Sequence, residues 1–127
     1  MTRYFLGLNA LLFLGFGVYV ILNPQNLAET MQASGMGTDG LYEIRSNYGG
    51  VSIGAGLLYL FGALRRSLER PALYFLLAYT GGYALGRILA LPFDGLPSER
   101  LIAFGVFEAV TALVAALLLL RRPSTMA

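Results

Sequence analysis

Four apolar runs occupy most of this chain: residues 4–23, 41–64, 71–91 and 99–120. A helix of about 20 residues rises about 30 Å, the thickness of the hydrocarbon core of a bilayer. Within a bilayer only a structure that satisfies its own backbone polar groups is stable, and for apolar runs of this length that structure is a helix. A soluble domain of 127 residues could not hide four such segments, because a small domain buries only part of its surface. Hydrophobic residues make up 57% of the chain and charged ones 13%, which also departs from the soluble balance. The expected fold is all-α: an integral membrane four-helix bundle forming one domain over residues 1–127.

The flanks of each run give its ends. Arg3 precedes the first run and Pro24 closes it. A basic residue before an apolar stretch also opens a secretory signal. This run is longer than a signal core, however, and no small-x-small cleavage site follows, so a permanent span is expected. Between runs one and two, Leu27, Ala28 and Met31 recur at helical spacing within residues 24–33, which predicts a short interfacial helix. Gly35, Gly37 and Gly40 then mark a loop, with Thr38 or Asp39 as the N-cap of the second span. Residues 65–70 form the loop before span three, Pro71 takes its first turn, residues 92–97 form the next turn, and Ser98 caps span four.

Every basic residue is an arginine, and their placement sets a direction. Arg3, Arg65, Arg66, Arg70, Arg121 and Arg122 fall on one side of the expected membrane, and of the loop arginines only Arg100 falls on the other. The positive-inside rule therefore puts both termini and the middle loop in the cytoplasm, as in a multi-pass protein of the bacterial inner membrane. This pattern is a topology signal and not a phosphate-binding face, so no nucleic-acid partner is expected.

The chain has no Cys, His or Trp. Thiol redox chemistry, thiolate metal sites and the commonest acid–base side chain are thereby excluded. No metal, cofactor or catalytic residue is expected.

Four ionisable residues lie inside the spans: Glu43, Arg45, Arg87 and Glu108. A charge at the bilayer centre costs about 2.5–3.5 kcal/mol on the mildest scale, so such groups face the interior, pair, or reach an interface. At 1.5 Å of rise per residue, Arg87 lies about 6 Å below the outer end of span three and Glu108 about 13 Å into span four. Those depths predict an Arg87–Glu108 pair in the outer half.

Helical phase groups Glu43, Asn47, Gly50 and Gly54 on one face of span two, and Tyr79, Gly82, Tyr83, Gly86, Arg87 and Ala90 on one face of span three. Span four aligns Leu101, Phe104, Gly105, Glu108, Thr111, Ala112 and Ala115, and span one aligns Asn9, Phe13, Phe16, Val20 and Asn23. Arg45 lies about 200° from Glu43 on the side of Gly49, Ser52, Gly56 and Tyr59, so it either snorkels outward or contacts a second neighbour.

The candidate charge cluster is thus Glu43, Arg45, Asn47, Tyr48, Tyr83, Arg87 and Glu108. It is either a ligand site or a fixed salt-bridge network that orients the helices. Gly49, Gly50, Gly54, Gly82 and Gly86 are the expected helix-packing positions, and a homo-oligomer is open to the same glycines.

These residues carry a resemblance. The run Glu43-Ile44-Arg45-Ser46-Asn47-Tyr48-Gly49-Gly50, with Gly54, Gly56, Gly86-Arg87, Asp94-Gly95 and Phe107-Glu108, is similar to a group of small bacterial membrane proteins that share a domain of unknown function. A more distant likeness is to DoxX-like four-helix membrane proteins. The resemblance implies four membrane helices and no assigned activity.

Among function classes, a binding or accessory protein leads. Tyr48, Tyr79, Tyr83, Phe104 and Phe107 would line a pocket for a lipid, a quinone-like or other lipophilic small molecule, or a partner helix, with Arg45 or Arg87 meeting an anionic or carbonyl group. A small proton-coupled transporter or channel using Glu108 is the alternative. An enzyme is not expected, since acid–base work would fall to Glu108 alone.

Overall fold

The computed structural model describes residues 1–33 and 35–121. Among them the chain is helical throughout, with short connections and no strand. Helix α1 is Thr2–Leu22, α2 is Pro24–Thr30 and α3 is Thr38–Ile44. A π-helical segment, Arg45–Gly50, joins α3 to α4, Val51–Leu64. Helices α5, Arg66–Asp94, and α6, Glu99–Leu120, complete the chain.

Local chemistry accounts for the boundaries. The amide of Asn23 closes α1 on Tyr19 O at 2.8 Å, and Pro24 opens α2 where its missing N–H is harmless. Leu27 and Ala28 of α2 are buried with Val20 and Ile44, so this short helix packs back onto α1 and α3. From Thr38 to Leu64 the backbone runs on as one rod, because Ile44, Arg45, Gly50 and Val51 all keep right-handed helical dihedrals.

Several expected ends move. Gly37, not Thr38 or Asp39, precedes α3. The six-residue loop before span three shrinks to Arg65, which alone is extended between α4 and α5. Pro71 consequently sits inside α5 and not in its first turn. Pro92 also lies within the helix, which runs to Asp94 and stops at Gly95, whose φ of 77° is open to glycine. Ser98 does take the N-cap position of α6, but its side chain makes no capping bond.

The long rods are antiparallel neighbours. On the α1–α4 seam, Leu6 meets Gly62, Leu14 meets Gly56 and Gly17 meets Gly49. Gly62 also meets Ala72 across α4–α5, while Gly81 meets Ala112 and Arg87 meets Gly105 across α5–α6. Helices α1 and α6 form no packed pair along their length. A Cβ added to Gly17 would lie 2.7 Å from Gly49 O, so the seam requires glycine there. One core joins all four rods: Leu6, Ala10, Ala55, Tyr59, Ala63, Ala72, Leu73, Leu76, Ala115 and Leu118 among its members.

Three arginines tie the rods at their ends. Arg3 Nε donates to Ala63 O (3.1 Å), Arg70 Nη2 to Leu119 O (3.0 Å) and Arg45 Nε to Ile21 O (2.9 Å). Each acceptor lies in the last turn of a helix, where carbonyls lack intrahelical partners and the dipole favours a cation. Arg122 lies outside the described residues.

By length and composition, α1 and α6 are apolar enough to cross a membrane. Helix α4 is cut to 14 residues by the π segment, and α5 carries Arg87 among tyrosines and glycines. Large apolar side chains nevertheless face outward on all four rods, including Leu11, Leu57, Phe61, Leu85, Ile88, Leu113 and Leu117.

Candidate functional site

In the half of the molecule near Gly95, the rods separate around a cavity of about 410 Å³. Helix α1 contributes Leu12, Phe13 and Phe16, and α2 lays Leu27 and Met31 against it. Tyr48 comes from the π segment and Ser52 from the start of α4. Helix α5 supplies Tyr79, Thr80, Tyr83 and Arg87, and α6 supplies Leu101, Phe104, Phe107 and Glu108. A shallower groove on the other side of Tyr48, Tyr79, Tyr83 and Arg87 is floored by Gly82, Gly86 and Ala90.

Seven of the fifteen lining residues are aromatic, and their rings meet one another and neighbours behind the wall. Phe13 meets Tyr59 edge-on at 5.0 Å between centroids and Tyr79 at 5.6 Å. Phe75 stacks on Tyr79 (5.8 Å), and Tyr79 leans on Tyr83 (5.2 Å). These spacings fall in the favourable range for offset and edge-to-face rings. The Arg87 guanidinium lies 6.0 Å from the Tyr83 ring centre, at the edge of cation–π reach.

The charged centre is a two-pronged pair. Arg87 Nε donates to Glu108 Oε1 at 2.5 Å and Arg87 Nη2 to Oε2 at 3.0 Å. Glu108 keeps 13% of its side chain exposed and Arg87 33%. Gly105, one turn before Glu108, lets Arg87 pass closely: a Cβ there would lie 3.1 Å from Arg87 Cδ. The fork geometry holds both side chains in one orientation, and the N–H groups not facing Glu108 stay available.

The other candidates lie elsewhere. Glu43 and Asn47 bond each other (Asn47 Nδ2 to Glu43 Oε2, 2.9 Å) on an exposed face, with Gly50 and Gly54 exposed beside them. This corrects the expected phase of span two. The opposite face, Gly49, Ser52, Gly56 and Tyr59, is buried because its small residues let α1 approach. Arg45, on that side, contacts the end of α1 and leaves the pocket. The structure thus brings together Tyr48, Tyr83, Arg87 and Glu108, and sets Glu43, Arg45 and Asn47 apart from them.

Of the expected packing glycines, Gly49 makes a close approach, whereas a Cβ on Gly54, Gly82 or Gly86 would meet nothing within 4 Å and one on Gly50 only Arg45 O at 3.9 Å. The close contacts at Gly17 and Gly62 escaped sequence reasoning, as did Ser52 and Thr80 in the pocket. Gly17 carries a legible signal, since it stands four residues after Phe13 and three before Val20, on the buried face of α1.

Below the pocket, Asn9 Oδ1 and the Tyr59 hydroxyl are buried without a hydrogen-bond partner. Among the described residues no cluster of three or more carboxylates could hold a metal ion.

Residues 1–119 match a family described as a domain of unknown function, DUF4345. No curated protein and no solved structure matches the chain.

Proposed function

Since the chain belongs to the DUF4345 family, whose description carries no activity, we propose a role from the site itself: a four-helix membrane protein that binds a lipophilic molecule in its charged, aromatic pocket. Outward apolar side chains on all four rods support embedding in lipid, because a monomer in water would not expose so much contiguous apolar surface. Arg3 and Arg70 lie at one end with Ala63 and Leu119, which supports cytoplasmic termini and a pocket in the outer half. The carrying observation is the Arg87–Glu108 fork on the wall of a cavity lined largely by apolar and aromatic side chains. The role is one of binding or accessory function and not catalysis. The exposed face of Glu43, Asn47, Gly50 and Gly54 suits a partner helix.

A proton-coupled carrier built on Glu108 is the second reading. It is favoured by Asn9 and Tyr59, buried polar groups beneath the pocket without partners. One comparison separates the two readings. Full-length protein purified in mild detergent should carry a stoichiometric amphiphile, detected by mass spectrometry and lost in Leu12→Trp, which fills the pocket mouth. Absence of any such molecule, together with proton flux into liposomes that vanishes in Glu108→Gln, would replace binding by transport.

A further inference from the structure

The pocket's electrostatics go further than its shape and bear on the head group of its ligand; this step rests on the binding reading above. Arg87 is the cation of the site, and Glu108 already neutralises it through two parallel bonds. A guanidinium has five N–H donors, so this pairing leaves donors available without net charge. An anionic head brought to those donors would lie beside the Glu108 carboxylate, which is 13% exposed, and be repelled by it. An uncharged acceptor meets no such repulsion.

The walls add a shape. Tyr79 and Tyr83 on α5 and Phe104 and Phe107 on α6 line the same cavity as the donor, with the Tyr83 ring centre 6.0 Å from the guanidinium. Flat, conjugated groups gain from ring contact, whereas bulky hydrated heads such as phosphate esters or sugars do not. A volume of about 410 Å³ accommodates one such head and the start of a chain, but not a two-chain phospholipid. The chain has a way out, because α1 and α6 are not packed together and Leu12, Phe16 and Leu101 give that side an apolar lining.

We infer that the pocket selects a single-tailed lipophilic molecule whose head is flat, uncharged and carbonyl-bearing. The head accepts a hydrogen bond from Arg87, and the tail leaves between α1 and α6. Glu108 acts as the selectivity element, cancelling the charge that would otherwise attract anions.

The test uses the full chain in detergent micelles and probes sharing a ten-carbon tail: a decyl-substituted benzoquinone, decanol and decanoate. Saturable binding is read by native mass spectrometry. The quinone head should bind at least about tenfold more tightly than decanoate, with decanol between them. Glu108→Gln, which leaves the guanidinium uncompensated, should raise decanoate affinity by about tenfold or more and erase the preference. Decanoate binding the unaltered protein as tightly as the quinone would overturn the head-group inference while leaving a binding pocket in place. If no probe binds saturably, or if Leu12→Trp leaves every probe's binding unchanged, the pocket reading itself fails. Should Glu108→Gln not fold, the ranking on the unaltered protein and the Leu12→Trp result still decide both questions.

Discussion

The two ends of the long helices draw on similar residues and pack in opposite ways. Near Arg3 and Arg70, alanines and one glycine let four rods converge on Leu6, Leu73, Leu76 and Leu118. Toward Gly95, Gly82 and Gly86 of α5 touch nothing, bulky rings replace alanines, and α1 and α6 form no packed pair. Small residues close a helix seam only where a neighbour fills the space they leave. Where no neighbour comes, the same residues floor a groove. The cavity and the Arg87–Glu108 pair lie in the open half.

Substitutions should separate the halves sharply. The largest effect is expected at Gly62, where an added Cβ would already lie 2.5 Å from Ala72 Cβ. Gly62→Leu should cost about 3 kcal/mol, measured by reversible unfolding in mixed micelles, since overpacking a closed seam forces backbone shifts. A loss below about 1 kcal/mol would mean that the closed half yields readily and that the contrast is false.

Next comes the polar centre. Glu108→Ala leaves Arg87 without its partner and should cost about 2 kcal/mol, reduced from the fully buried case by the exposure of Arg87. Replacing both partners, Arg87→Met with Glu108→Leu, should recover most of that loss. Recovery in stability combined with loss of ligand would identify the pair as functional and not merely structural. The smallest effect belongs to Gly82, which faces open space. Gly82→Ala should fall between no change and about 1 kcal/mol of added stability, from helix propensity alone. A clear destabilisation there would show that something covers the groove.

Much of this was readable from residue order. The Arg87–Glu108 contact follows from two depths along helices, because rise per residue is nearly constant. Of the pocket's rings, Tyr79, Tyr83 and Phe104 follow from phase on α5 and α6 and Phe13 and Phe16 from phase on α1, whereas Phe107 lies off the aligned face of α6. Phase failed on the second rod for an identifiable reason. Glu43, Asn47, Gly50 and Gly54 form the more polar face, and a polar face within an apolar span predicts the interior. Burial there instead follows how closely α1 can approach, and Gly49, Ser52 and Gly56 offer the closer fit. Both ends of α5 also differ from expectation: Pro71 and Pro92 suggest boundaries, yet one missing N–H does not stop a helix held on either side.

Apolar length and the spacing of arginines belong to the chain as written, since both depend on composition over windows of residues. Which glycines carry a seam, where α1 parts from α6, and that Arg45 closes a neighbouring helix while Arg87 faces a cavity are settled by packing. Each depends on which surface of one rod meets which surface of another. That matching is a property of pairs of helices, and no single stretch of residues contains it.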